Sequence, residues 1–310
     1  MHTADSSCLS DGASPRKVVL IVNPTTVDDV TTVVTTVRRS CSRFGWAEPH
    51  LLTTTVEDPG AGAARTAVSE GAQLVLCCGG DGTLASVATG LANTGVPVGI
   101  LPTGTGNLLG RNLDLPLDLD EALTVALAEH SRVLTLDMGR IGDHNFAVMA
   151  GVGVDAAIMR DTRPAVKTLL GWPAYVLAGI GHLGDRPMAT TIRLDGQAPM
   201  SRRARTVLVG NVGLLQGGIP VLPDADPTDG VLDIVLVAPR TVLGWCAVAW
   251  HLLRRNTGDG PEQLERFRAR RVEISTERPH PWQFDGDFLG PTRSLTIDIE
   301  PAALLVKAPV

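Results

Sequence analysis

The sequence predicts an open, mostly parallel α/β layer followed by a β-rich second half, and three observations carry that prediction. Between Lys17 and His130, short β-branched runs alternate with stretches of helical apolar spacing, the pattern of a parallel sheet covered by helices. After Arg132, strand-like runs follow one another with Gly and Pro turns between them. The chain also holds 33 Gly and 21 Pro in 310 residues, above the usual ~7% and ~5%, so turns are frequent. At ~100–200 residues per domain, this length suits one large or two medium domains with ample core.

Taken in order, residues 1–15 are polar, with neither a charged n-region nor an apolar h-region, and read as a disordered leader rather than a secretory signal. A nucleotide-binding α/β domain is expected over 16–131. Its strands are Lys17–Val22, Pro49–Thr53, Gln73–Cys78 and Val96–Leu101, and its helices Val27–Arg39, Ala61–Glu70, Thr83–Leu91 and Asp120–Glu129. A β-rich domain is expected over 132–299, with strands at Asn145–Ala150, Thr190–Leu194, Thr206–Asn211, Val231–Val237, Arg271–Ser275 and Ser294–Ile299. Helical interruptions fall at Ala157–Asp161, Leu169–Leu183 and Val242–Arg254. The charged, Gly/Pro-broken stretch Arg254–Arg268 reads as an exposed loop, and the tail near 300–310 is expected to return to the first domain.

Composition removes several function classes. The net charge is −6, and Lys occurs only at positions 17, 167 and 307, which argues against a broad nucleic-acid-binding face. No apolar run approaches the ~20 residues that span a bilayer; Leu169–Leu183 and Thr241–Leu253 stop short. Cys8, Cys41, Cys77, Cys78 and Cys246 include no CxxC and no His at zinc spacing, so reduced thiols and a cytoplasmic setting are expected.

The strongest local signal is Gly79-Gly80-Asp81-Gly82-Thr83, directly after one apolar strand and before a helix. Glycines let the backbone approach a ligand closely, and a helix N-terminus offers N–H groups to phosphate oxygens. Asp81 there would orient a metal or accept a proton from a hydroxyl; a tight turn whose Asp only caps the helix would use the same residues. A second turn of this type, Leu101-Pro102-Thr103-Gly104-Thr105-Gly106-Asn107, follows the next strand. Two such turns at the carboxyl ends of neighbouring parallel strands form a ligand crevice. The absence of GxxxxGK[ST], of HRD with DFG and of GxSxG argues against P-loop, protein-kinase and α/β-hydrolase chemistry.

Three later stretches complete the set. Gly151-Val152-Gly153-Val154-Asp155-Ala156 matches GxGxxA, but it opens the β-rich half, with no acidic strand end ~20 residues on, which argues against a dinucleotide site. Within Pro223–Asp233, Asp226 and Asp229 lie three apart in a Pro/Gly loop and could converge with a backbone carbonyl on Mg²⁺; an acidic turn closed by Asx hydrogen bonds is the alternative. Asp285-Gly286-Asp287 suits a base that reaches a substrate hydroxyl, and equally an ordinary hairpin turn.

In this order, Gly79–Thr83, Pro102–Asn107 with Leu108–Leu113, Gly151–Ala156, Asp229–Asp233 and Asp285-Gly286 resemble the diacylglycerol kinase catalytic family, in particular its soluble bacterial lipid kinases related to diacylglycerol and sphingosine kinases. The likeness runs from Lys17 to the C-terminus. GGDGT alone is shared with NAD kinases and phosphofructokinases; the later motifs separate them. The resemblance implies an NAD-kinase-like α/β domain, a C-terminal β-sandwich and a cleft between them. It implies ATP- and Mg²⁺-dependent phosphorylation of a lipid hydroxyl, with diacylglycerol to phosphatidic acid as the first expectation. Asn23-Pro24, Thr54 or Thr55, Gly79–Thr83, the turn residues Thr103, Gly104, Thr105 and Asn107, and Asp285 would then line the nucleotide. Asp226, Asp229 and the carbonyl of Val231 would hold a structural Mg²⁺.

Asp287 falls where the family has the Glu of a DGE motif, the proton acceptor, with Asp81 positioning Mg²⁺–ATP or itself serving as base. The chain departs from the family pattern at Thr25-Thr26, at Leu84-Ala85-Ser86 and at Asp287, one methylene shorter than Glu. Two other functions fit the same turns: a kinase of a soluble acceptor of NAD or sugar-phosphate type, and a nucleotide-binding regulatory protein without turnover. A lipid acceptor calls for peripheral membrane contact, with Leu169–Leu183 (Trp172, Tyr175, Lys167) or Trp245, Trp250, Arg254 and Arg255 as candidate surfaces, unless both helices pack on the sandwich. The oligomeric state stays open, a homodimer included.

Overall fold

A computed structural model of the chain describes residues 16–153, 187–215, 218–239, 241–254, 261, 263–285 and 287–310. Its first half is built on four parallel strands: β1 (Val18–Val22), β2 (His50–Thr53), β3 (Leu74–Gly79) and β4 (Val98–Pro102), side by side in the order β2-β1-β3-β4. Alternate residues of β1 and β3 fill two cores. Val19, Ile21, Val75 and Cys77 face one, Val18, Leu20, Leu74 and Leu76 the other, so both sheet faces are dry, as a helix-covered parallel sheet requires.

Helices α1 (Val30–Arg43), α2 (Ala61–Ser69), α3 (Asp81–Leu91), the short α4 (Leu108–Asn112) and α5 (Leu119–Leu127) connect or follow these strands. Helix α1 starts three residues later than expected because Asp29 caps it, accepting from Thr32 N at 3.0 Å. Asp118 caps α5 in the same way.

The second half is antiparallel. It comprises β5 (Arg132–Ile141), β6 (His144–Phe146), β7 (Met149–Gly153), β8 (Met188–Leu194), β9 (Met200–Ala204), β10 (Thr206–Gly210), the small pair β11 (Leu214–Leu215) and β12 (Ile219–Pro220), β13 (Leu232–Val237), β14 (Leu264–Ala269), β15 (Arg271–Phe284) and β16 (Asp287–Ala308). These strands form a β-sandwich domain over a core containing Phe146, Val152, Val209, Ile234, Val272 and Trp282. One helix, α6 (Val242–Leu253), covers β12 and the outer side of β13. Strand β16 leaves this domain and runs parallel to β4, with Val306 opposite Val98, while pairing antiparallel with β5.

The structure corrects several expectations. Arg254–Arg268 is not wholly a loop: residues 264–269 form β14, which among the described residues pairs only with β13, at the end of the sheet. Its charges at Glu265 and Arg268 are what an edge strand carries against unwanted pairing, so they imitate loop composition. Asn145–Ala150 is two strands, broken where the N–H groups of Ala147 and Val148 turn to Asp285. Ser294–Ile299 is part of a 22-residue strand with a register shift between Glu300 and Leu304. The helices expected at Ala157–Asp161 and Leu169–Leu183 lie outside the described residues.

Candidate active site

The carboxyl ends of β1, β2, β3 and β4 bring Asn23, Thr54, Gly79–Thr83 and Pro102–Asn107 to one edge of the parallel sheet. Asn23 ties the first of these turns to the third: its Nδ2 donates to Thr83 Oγ1 at 2.8 Å, and its Oδ1 accepts from the N–H and hydroxyl of Thr25. Thr25-Thr26 thus closes as an Asx turn in which Thr26 N donates to Asn23 O. Thr54 is buried, and Thr55 Oγ1 accepts from Asp58 N at the start of the next loop.

The two glycine turns touch backbone to backbone. A Cβ on Gly104 would lie 2.7 Å from the Cα of Gly80, so a side chain there would push the turns apart, while one on Gly106 would displace the Asp81 carboxylate. Asn107, in the left-handed region at φ 47°, opens α4 and donates from Nδ2 to Gly104 O at 2.7 Å. Asp81 is the first residue of α3, whose cap, Gly80, has no side chain to satisfy the first N–H groups. Its Oδ1 accepts from Leu108 N, joining the two turns through one carboxylate. Burial raises its pKa above the ordinary carboxylate value, against the lowering effect of the Leu108 and Asn107 N–H groups and of Arg111.

The second domain reaches this edge through the β15–β16 hairpin. Phe284 pairs with Asp287, and Asp285 stands in the turn before it at φ 42°. Asp285, expected near the nucleotide, is an internal anchor: its carboxylate is buried and accepts from the N–H groups of Ala147, Val148 and Met149 at 2.7–3.0 Å. Burial pushes its pKa up to about 7; the three N–H groups pull it down, and the charge of Asp81 pushes it up further. Asp81 of the first domain thus lies near enough for its charge to act on Asp285 of the second. Asp287 opens β16 immediately beyond that anchored turn. The Gly151–Gly153 part of the GxGxxA match lies inside β7, paired with β10 and β15, and is no strand-to-helix turn.

In the acidic loop, the structure shows the Asx-turn reading. Asp226 Oδ1 accepts from Thr228 N and Oγ1, and Asp229 Oδ1 from Val231 N, so Asx turns do close it. The donor set still fits a hard divalent cation: two carboxylates and the Val231 carbonyl are all oxygen ligands on one tight turn. Nearby, buried Asp233 leaves its Oδ2 without a hydrogen-bond partner among the described residues. Burial raises the Asp233 pKa to about 6, with Arg268 opposing and Asp229 and Asp224 reinforcing the shift. Arg268 pairs with Asp229 Oδ2 and approaches Asp233 Oδ1 at 3.5 Å.

Asp137 is the residue that sequence reasoning missed. Buried in β5, it accepts from Gly230 N at 2.6 Å and from Ala302 N at 2.8 Å, its own N–H donates to Pro227 O, and its carbonyl accepts from Asn211 Nδ2. It clamps the acidic loop to the bend of β16. The available signal was an acid flanked by Leu136 and Met138 in an apolar strand, since such a group is buried only when bonded. Asn112 of α4 likewise holds β11, exchanging two hydrogen bonds with the backbone of Leu214 at 2.8 and 3.0 Å.

Residues 17–141 match the family model of the diacylglycerol kinase catalytic domain, and residues 147–308 that of the YegS C-terminal NAD kinase beta sandwich-like domain. An uncharacterized protein of Synechocystis is 28% identical over 251 residues, covering 78% of this chain; the chain spans only 56% of that protein. A protein of Mycobacterium tuberculosis named diacylglycerol kinase is 30% identical over 251 residues, covering 78% of this chain and 79% of its own length. Among solved structures, a diacylglycerol kinase from Bacillus anthracis superposes with a TM-score of 0.76 at 25% identity, covering 96% of this chain and 98% of that one. An NAD kinase from Archaeoglobus fulgidus in complex with ATP shares the fold alone, at a TM-score of 0.54 and 14% identity.

Proposed function

Because this chain belongs to the diacylglycerol kinase catalytic-domain family, we propose that it transfers the γ-phosphoryl group of ATP to a lipid hydroxyl, converting diacylglycerol to phosphatidic acid. The observation that carries this reading is the pairing of two backbone-to-backbone glycine turns through Asp81, with Asp285 near enough to feel the Asp81 charge. Turns of that kind take phosphate oxygens on main-chain N–H groups. An NAD kinase of the same fold was solved in complex with ATP, which supports ATP as the phosphoryl donor proposed here.

Phosphoryl transfer asks a protein for in-line positioning, charge neutralisation and a proton acceptor. In the proposed step, the acceptor oxygen bonds to the γ-phosphorus, the bond from phosphorus to the β,γ-bridging oxygen breaks, ADP leaves, and the hydroxyl proton passes to Asp287. Asp81 orients the triphosphate. Mg²⁺, when bound, would neutralise phosphate charge; Asp226, Asp229 and the Val231 carbonyl would hold a second, structural ion. Asp137 sets the shape of that loop from behind.

The test is labelled ATP with a panel of acceptors: dispersed diacylglycerol, sphingosine, NAD and a sugar phosphate. Label is expected in phosphatidic acid. Asp287→Asn should lose turnover by about 10²–10⁴-fold, the range for removing a general base, while still binding nucleotide. Label in NAD or sugar phosphate alone, or nucleotide binding with no labelled acceptor, would overturn the lipid reading.

A further inference from the structure

Helix α6 is apolar on both faces. Trp245 and Val248 point inward and pack with Leu208, Val221, Leu222, Val235 and Leu264. The outward positions 242, 243, 246, 247, 250 and 254 follow helical spacing and carry Val, Leu, Cys, Ala, Trp and Arg. Leu243 is 81% exposed and Trp250 58% exposed, two of the few large apolar side chains that the described residues leave in solvent. A surface helix of a soluble domain ordinarily turns charge outward, so this face is built to be covered.

We propose that α6 is the surface by which the protein docks on an anionic lipid membrane, lying flat in the interface. The proposal rests on the lipid-hydroxyl reading above for why a bilayer should be the partner. Charge and geometry on the helix argue for that occupant. No Asp or Glu occurs from Thr241 to Arg255. The Arg254 guanidinium lies 4.3 Å from the ring centroid of Trp250, placing a cation beside an aromatic ring at the end of the apolar face, the pairing suited to a headgroup layer. At 12 residues and 1.5 Å per residue, α6 is about 18 Å long, too short to cross a ~30 Å hydrocarbon core. Its apolar face can therefore enter a bilayer only sideways.

The helix is also connected to the candidate site. Its inner face packs near β12, which pairs with β11; β11 is held by Asn112 of α4, and the first N–H of α4 sits on Asp81. Of the earlier candidate pair of tryptophans, only Trp250 serves, because Trp245 belongs to the core.

The experiment is co-sedimentation of the full chain with phosphatidylcholine vesicles with and without phosphatidylglycerol, for the natural protein and for the Leu243→Ser/Trp250→Ser double variant. The natural protein should sediment with anionic vesicles at low salt, and the variant should partition about tenfold more weakly or less, as loss of two interfacial apolar anchors implies. Equal sedimentation of both proteins, or none by either, overturns the proposal. So does a natural protein that light scattering shows to be a dimer and the variant a monomer, because a second copy would then cover this face. Turnover on dispersed short-chain diacylglycerol separates this from the kinase reading: it should be unchanged in the variant. Vesicle binding without turnover on any acceptor would defeat the kinase reading and leave the membrane surface standing.

Discussion

The two halves of the candidate site are made in opposite ways. The N-terminal half is backbone: glycine turns at successive strand ends, each within a few residues of the strand that places it, brought together because β3 and β4 are neighbours. The C-terminal half is side chain on distant backbone, with Asp285 reaching residues 136–138 positions away and Asp137 reaching 93 and 165 positions. One half depends on the absence of side chains, the other on two buried carboxylates. Damage to the first should therefore be a loss of function in a folded protein, and damage to the second a loss of stability as well.

The largest effect is expected in the backbone half. Gly104→Val would drive a side chain against the Gly80 backbone and separate the two turns. Its φ is not in the left-handed region, so the fold can keep the residue while the crevice opens. Turnover is expected to fall by about 10²-fold or more, the scale for misplacing reacting groups by ~1 Å, with the thermal midpoint changed by only a few degrees. Steady-state kinetics beside a melting curve checks this. A variant that unfolds before it loses activity would erase the distinction between the halves.

That distinction also explains what could be read in advance. The parallel strands and both glycine turns were legible because each is signalled locally: an apolar run, then Gly, then helical spacing. The anchoring of Asp285 was not, because Asp285-Gly286 looks the same whether its carboxylate faces solvent or accepts three N–H groups from another strand. Strand β14 was misread because edge strands and loops share a charged composition, and Asp137 was passed over because one acid in an apolar run gives no partner's address. The acidic loop lies between these cases: its composition pointed to oxygen ligands, while the clamp behind it and Arg268 in front come from β5 and β14.

In the side-chain half, Asp285→Ala would strip three buried N–H groups of their acceptor. At about 1–3 kcal/mol for each unsatisfied group, a loss of about 3 kcal/mol or more is expected in a denaturant titration. Asp137→Ala, which frees the N–H groups of half-buried Gly230 and exposed Ala302, should cost less, about 1 kcal/mol, because water can reach them. A pH series sharpens the comparison. Because the folded pKa of Asp285 is raised to about 7 from about 3.9 in an unfolded chain, the native state holds the extra proton between those values. The contribution of this group is complete below about pH 4 and falls away as pH rises towards 7. The natural protein should lose stability across that window relative to Asp285→Asn; a difference that stays flat with pH would show the carboxylate to be ionised throughout.

The smallest effect should come from Arg268. Its guanidinium already neutralises Asp229 and lies beside Asp233, so a divalent cation entering between Asp226, Asp229 and the Val231 carbonyl must share those charges with it. The side chain is about half exposed, which screens the pair and keeps the competition weak. Arg268→Gln removes the positive charge and keeps a polar side chain on the edge strand. Mn²⁺ binding followed by electron paramagnetic resonance should then tighten by about threefold to tenfold, since exposed pairs are worth ~0.2–1 kcal/mol and a single charge on a cation's ligands somewhat more. Stabilisation of the melting transition by Mg²⁺ should grow in parallel. If neither changes, the loop is held by its own Asx turns and by Asp137, and the side-chain half needs no metal to keep its shape.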